Sequence, residues 1–251
     1  MKAKEQSVAT VELMAHRGYA ERYPENTLEA IQAAADAGVT HIEFDVQLTA
    51  DGVPVLMHDA SLKRTAGVNL DIREIEAADL HKFPVNYRKR FGDTHSGVRI
   101  PTLRDAVEII EADWTYYVEI KRESLELFGV SKVVDAVCAA LGEYAGQCVL
   151  ISFEHDCLAY AGRTFGIRTG WVLRRFDEAS RKLASELNPG FLIINALRLG
   201  TGKPWPGDWQ WACYEITEPQ HARQLIDAGI DIISSMAAPD LRQALSGAPE
   251  A

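Results

Sequence analysis

Seven polar residues stand where apolar runs end. The run Val11-Glu12-Leu13-Met14-Ala15 leads into His16-Arg17-Gly18, and Pro54-Val55-Leu56-Met57 leads into His58-Asp59. The run His41-Ile42-Glu43-Phe44-Asp45-Val46 carries two carboxylates at i and i+2, and Tyr117-Val118-Glu119-Ile120-Lys121 pairs an acid and a base at the same spacing. Side chains alternate faces along a strand, so Glu43 and Asp45 share a face, as do Glu119 and Lys121. Three carboxylates converging on one point repel unless a cation sits among them. Carboxylates with water suit a hard divalent ion, Mg2+ or Ca2+. Two histidines beside such an ion suit general acid–base work near neutral pH. Arg17 and Lys121 supply fixed positive charge for an anionic group. Each signal alone has an ordinary structural explanation: a strand-end histidine satisfied in place, an exposed Glu-x-Asp edge, an ion-paired Glu-x-Lys face. Their shared position at the ends of strands separates them from those explanations.

The elements that must position them alternate. β-Branched runs read as strands at Val11–Ala15, His41–Gln47, Pro54–Met57, Thr115–Ile120, Cys148–Ser152, Thr169–Leu173, Phe191–Ile194, Gln210–Ile216 and Ile230–Ser234. Helical patterns fall near Thr27–Ala37, Leu103–Ala112, Ser131–Tyr144, Asp156–Phe165, Glu178–Leu187, Glu218–Ala228 and Leu241–Leu245. This alternation predicts an α/β TIM (β/α)8 barrel, in which polar residues at strand C-termini form the active site. A doubly wound sheet is the alternative, but no glycine-rich turn follows the first strand. Asn26 reads as the N-cap of the first helix, with Glu29 three residues on and Gly38 at the stop. Thr217 reads likewise for the late helix, with Gln220 and Gly229. The stops Asp36-Ala37-Gly38 and Asp227-Ala228-Gly229 form a faint repeat, yet only the first continues into Glu43 and Asp45, so the unit itself does not require those acids. The polar stretch from about Ala60 to Ile100 is too long for a βα loop and reads as an insertion after the second barrel segment, with short helices near Arg73–Leu80. The whole chain, residues 1–251, reads as one barrel domain with that insertion.

Composition narrows the function classes. The chain has 251 residues, 47% hydrophobic and 25% charged, which excludes disorder and disulfide mini-scaffolds. With 26 Lys and Arg against 36 Asp and Glu, the net charge is −10, unlike a protein that coats nucleic acid or binds stably to an anionic membrane. No stretch reaches the 18 or so apolar residues of a membrane span. The short apolar run behind Lys2 and Lys4 falls short of a signal peptide, so the expected location is cytoplasmic. The four cysteines show no metal or redox spacing and read as small buried hydrophobes. His41, His81, His95, His155 and His221 lie outside strand C-termini and are not expected in the site.

The motifs together resemble the glycerophosphodiester phosphodiesterase family of the bacterial cytoplasmic type. The resemblance rests on His16-Arg17-Gly18, Pro24-Glu25-Asn26-Thr27, Glu43-Phe44-Asp45-Val46, Asp51-Gly52-Val53-Pro54-Val55, His58-Asp59, Arg64-Thr65, Ile100-Pro101-Thr102-Leu103, Glu119-Ile120-Lys121 and Ser152-Phe153. It implies a TIM barrel with a small insertion. It implies one divalent metal on Glu43, Asp45 and Glu119, an acid–base pair in His16 and His58, and phosphate binding by Arg17 and Lys121. It implies hydrolysis of glycerophosphodiesters such as glycerophosphocholine or glycerophosphoethanolamine to sn-glycerol 3-phosphate and an alcohol.

The C-terminal third departs from the family's pattern. Tyr214-Glu215-Ile216-Thr217 stands where many members have Trp/Tyr-Thr-Val-Asn, Ser235-Met236 where many have Thr-Asp, and Arg64-Thr65-Ala66 where many have Arg-Thr-Thr. Glu215 is then either a contact to a cationic head group or an exposed strand-end acid. Phe153, Trp171 and Trp211 are open between site and core. The rival activities are lysophospholipase D chemistry on the same fold, a metal-dependent lyase barrel, and an idle binding protein. Within an acidic chain, a divalent ion with Arg17 and Lys121 makes the site locally positive, which suits a small soluble phosphodiester.

Overall fold

Nine strands appear in the computed structural model, which describes residues 12–246. They are β1 (Glu12–His16), β2 (His41–Leu48), β3 (Pro54–Leu56), β4 (Thr115–Ile120), β5 (Cys148–Ser152), β6 (Arg168–Leu173), β7 (Phe191–Asn195), β8 (Gln210–Tyr214) and β9 (Ile232–Ser235). All but β3 are parallel neighbours, and β9 pairs with β1 to close the ring. Helices run between the strands, so the fold is the expected (β/α)8 barrel. Val11, read as the first strand residue, lies outside the described residues.

The Pro54–Met57 run is a correction. It is not a barrel strand. β3 runs antiparallel to β2, with Val46 opposite Leu56 and Leu48 opposite Pro54. Only five residues separate the two strands, far fewer than the dozen or so a parallel crossover needs, so the chain must fold back as a hairpin. Gly52, at φ +83°, makes the turn. The insertion therefore departs from β3. It contains two 3-10 turns (Ile72–Glu74 and Ala77–Lys82) and a short helix (Arg88–Phe91) around its own apolar cluster, including Met57, Leu62, Ile72, Leu80 and Val85. Its return is pinned to its start, because the Leu56 amide donates to Pro101 and Val55 bridges Thr102.

Parity along β2 shows why the strands read as nearly continuous apolar runs. Ile42, Phe44, Val46 and Leu48 pack outward in the layer beneath the helices. His41, Glu43, Asp45 and Gln47 occupy the opposite, inward face. Met14, Tyr117, Val149, Ile151 and Phe191 fill the barrel floor. Trp171 and Trp211 belong to the outer core, whereas Phe153 lines the mouth.

The helix caps differ from expectation. Thr27, not Asn26, caps the helix Leu28–Asp36, accepting from the Ala30 amide. Glu218, not Thr217, occupies the N-cap of Pro219–Asp227, without a side-chain bond. Both glycine stops hold, Gly38 at φ +77° and Gly229 at φ +101°. Leu103–Glu108 is shorter than expected and Ala238–Ser246 longer. Arg122–Phe128 and Ala196–Leu199 were not expected as helices; each starts directly at a strand end. All four cysteines are free thiols, three of them buried.

The turn after β1 packs directly against the backbone of the first helix. Arg17 and Gly18 both have positive φ, +60° and +72°. A Cβ on Gly18 would stand 2.6 Å from the Ala30 carbonyl carbon, inside the backbone of the first helix. Gly67 has φ +77° but open space around it. Gly18→Ala should therefore cost about 2–4 kcal/mol, combining left-handed strain with overpacking, and Gly67→Ala only about 1–2 kcal/mol. Denaturant unfolding of the two variants measures this, and equal losses would contradict the packing argument.

Candidate active site

Strand register assembles the site. His16 pairs with Glu43 across β1 and β2, and Asp45 pairs with Glu119 across β2 and β4. Paired residues project to the same face, so all four side chains point into the barrel near its C-terminal end. Arg17 and Lys121 follow one residue after β1 and one after β4. His58 reaches the same level by the hairpin, since the Met57 amide donates to the Asp45 carbonyl at 3.0 Å. All seven expected residues line one cavity of about 110 Å³, walled by Ile151, Phe153, Val172, Ile193 and Tyr214.

The cavity concentrates charge. Glu43, Asp45 and Glu119 are buried, and each offers an oxygen within 4.8 Å of the others. Lys121 Nζ donates to Asp45 Oδ1 at 3.1 Å and to Glu119 Oε1 at 2.7 Å. Arg17 Nε lies 3.1 Å from Asp45 Oδ2, and the Arg17 amide donates to Glu43 Oε2 at 2.9 Å. Asn26 clamps Asp45 from both sides: its Nδ2 donates to Asp45 Oδ2 at 2.9 Å and its Oδ1 accepts the Asp45 amide at 3.0 Å. Burial pushes the Asp45 carboxyl up, but Lys121, Arg17, His58 and Asn26 outweigh it and hold it well below the usual carboxylate range. Glu43 has no such cluster of cations. Burial, and then repulsion from Asp45, push it up to about 8. Its Oε1 is buried without a hydrogen-bond partner. An all-oxygen set with one unsatisfied buried carboxylate oxygen fits a hard divalent cation.

Each histidine has a carboxylate behind it. Glu215 Oε1 stands 3.2 Å from His16 Nδ1, off the line of a full hydrogen bond, and Glu43 Oε2 stands 3.7 Å from His16 Nε2. Burial disfavours the His16 cation, yet Glu43 and Glu215 outweigh burial and raise its pKa. His58 Nδ1 meets Asp59 Oδ1 at 2.5 Å. Asp59 Oδ2 accepts from Arg64 Nε at 2.7 Å, and Arg64 grips Glu25 with both terminal nitrogens. Glu25 Oε1 also accepts from Arg17 at 3.0 Å. One chain of charges thus runs from His58 through the insertion to Arg17.

Glu25, Asn26, Asp59 and Arg64 enter the site's geometry although the sequence marks them only as parts of motifs. Asn26, read as a cap, has φ +58° and turns its amide to Asp45 instead. Glu215 is the exposed acid just past the end of β8 that the sequence allowed, and its carboxylate also backs His16. His41 shares the inward face of β2 but sits at the opposite end of the barrel, 3.1 Å from the Tyr117 hydroxyl. His81, His95, His155 and His221 are exposed or half-exposed and line no part of this cavity.

The model of the glycerophosphoryl diester phosphodiesterase family matches residues 16–184. Bacillus subtilis YqiK is 28% identical over 234 residues, covering 87% of this chain and 92% of the relative. A glycerophosphodiester phosphodiesterase of Caldanaerobacter subterraneus is 32% identical over 149 residues, covering 58% of this chain and 59% of that protein. Among solved structures, an Oleispira antarctica phosphodiesterase in complex with the product sn-glycerol-3-phosphate superposes with a TM-score of 0.83 at 24% identity, covering 94% of this chain and 97% of that one. The family match extends from the first strand-end histidine well past the middle of the barrel, and the chain belongs to the glycerophosphoryl diester phosphodiesterase family of enzymes.

Proposed function

We propose that the enzyme hydrolyses a small soluble glycerophosphodiester to sn-glycerol 3-phosphate and an alcohol, with Glu43, Asp45 and Glu119 holding one divalent cation, Mg2+ or Ca2+. The observation that carries this reading is the convergence of two carboxylate-backed histidines on one buried carboxylate triad beside Arg17 and Lys121. The bound cation would supply Lewis-acid neutralisation of charge on the phosphoryl group. Arg17 and Lys121 orient the phosphate and stabilise its developing charge. His16, whose surroundings favour the protonated form, donates to the leaving oxygen. His58, held at Nδ1 by Asp59, presents Nε2 to take a proton from the attacking water, whose oxygen bonds to phosphorus as the bond to the alcohol oxygen breaks.

The two cations beside two histidines support a phosphodiester over the carboxylate or sugar substrate of a lyase. The net charge of −10 supports a small substrate over nucleic acid or an anionic membrane. Among the described residues no helix is long and apolar enough to cross a membrane. Free thiols in the described chain support a reducing compartment, and the cytoplasm is the proposed location.

His16→Ala and His58→Ala should each lower kcat by at least about 100-fold on a glycerophosphodiester, the usual contribution of one acid–base group. Near-normal turnover in either variant would remove that residue from the mechanism.

Chelation should abolish activity, and Mg2+ or Ca2+ should restore it. Cation binding should also depend on pH with a definite sign. Glu43 keeps its proton below about pH 8, so a cation must displace that proton. His16 loses its positive charge as pH rises, which acts in the same direction. The rise in Tm on adding Mg2+ or Ca2+ should therefore grow from about pH 6 to about pH 8, with affinity increasing by up to about tenfold per pH unit. A gain that is flat or shrinks over that range would contradict Glu43 as a ligand.

A further inference from the structure

The cavity at the barrel mouth is too small for a whole diester, so part of the substrate lies outside it. On the β3 side the neighbouring space is a cleft of about 700 Å³ in the insertion, lined by Asp59, Lys63, Arg64, Tyr87, Lys89 and Arg90. The two spaces are one residue apart, because Asp59 of the cleft touches His58 of the site. The cleft floor is built: Arg64 is fixed by Glu25 and Asp59 and stands 5.6 Å from the Tyr87 ring centroid. The Tyr87 amide donates to the Thr65 carbonyl at 2.9 Å, joining the two walls.

Charge separates the cleft from the rest of the molecule. Residues 60–100 hold eight Lys and Arg against five Asp and Glu, a net of +3 in a chain of net −10. Arg90 pairs with Glu21. Lys63 and Lys89 make no ion pair among the described residues. The acids of both cavities are engaged apart from Glu43 Oε1, which lies buried in the proposed cation site. Glu215 faces His16, Asp59 faces His58 and Arg64, Asp45 and Glu119 share Lys121, and Glu43 accepts the Arg17 amide. In the cleft a cationic head group finds no uncommitted carboxylate, since Asp59 is its one acid, whereas an anionic group finds two uncommitted ammonium groups.

We propose that the insertion cleft is a subsite for a negatively charged group, a carboxylate or a phosphate, on the alcohol half of the diester, and that Lys63 and Lys89 set a preference for anionic over cationic alcohols. This rests on the phosphodiesterase reading above and narrows it. Both lysines are exposed and lie outside the catalytic set, so their replacement leaves the chemistry in place.

The test compares three diesters of sn-glycerol 3-phosphate, whose alcohols are choline, glycerol and glycerol phosphate. At low salt, kcat/KM should favour the glycerol phosphate diester over the choline diester by about tenfold, the scale of two partly exposed charge pairs, and added salt should shrink the ratio. The double variant Lys63→Glu, Lys89→Glu should lose that preference while its kcat/KM on the neutral glycerol diester stays within about twofold of the parent. Equal or choline-favouring rates in the parent, or a ranking unchanged in the double variant, would overturn the subsite. Failure to hydrolyse any of the three, the neutral diester included, would instead overturn the phosphodiesterase reading beneath it.

Discussion

Three carboxylates share one buried pocket at the mouth of the barrel, with oxygens within 4.8 Å of one another. Like charges so close in a region of reduced solvent cannot all stay ionised without compensation. The molecule answers unevenly. Asp45 has Lys121, Arg17 and Asn26, and stays ionised. Glu43 has a backbone amide and a histidine, and is pushed toward protonation. That imbalance is the strongest physical reason to read the pocket as a cation site. A divalent ion removes the repulsion where the chain's own cations do not reach.

The backbone exists in this form to hold that arrangement. β-Ladder register sets His16 beside Glu43 and Asp45 beside Glu119 without any loop having to be ordered. A left-handed turn at Arg17 and Gly18 brings the Arg17 amide to Glu43 and its side chain to Asp45. The β2–β3 hairpin returns His58 to the level of Asp45, and the insertion beyond it sends Arg64 back to Glu25. Residues far apart in the chain are thereby locked into one charge network. Such networks stiffen a site when every member is satisfied and weaken it sharply when one is lost.

Much of this was legible before any coordinates. The i, i+2 spacing of Glu43 and Asp45 needs only the alternation of a strand, and the barrel follows from the strand–helix alternation. The seven expected residues do line one cavity. Pro54–Met57 reads as a strand and is one over Pro54–Leu56, but its apolar content does not distinguish a barrel strand from a hairpin arm; the short Thr49–Val53 connection does. Asn26 was harder, because its side chain serves a cap or a carboxylate equally well and the left-handed backbone at that position decides between them. Glu215 was out of reach for another reason. Its partner, His16, lies about 200 residues away in sequence, and only closure of the barrel makes them neighbours.

The direct measurement is a crystal of the protein soaked with Mn2+ and examined for anomalous scattering. Mn2+ favours the same oxygen ligands as Mg2+ and Ca2+. A single strong peak within coordinating distance of Glu43, Asp45 and Glu119, with Lys121 Nζ no longer bridging Asp45 and Glu119, is the predicted result. Ordered Mn2+ only elsewhere on the molecule, with Lys121 still bridging Asp45 and Glu119, would contradict the reading of this pocket as a cation site.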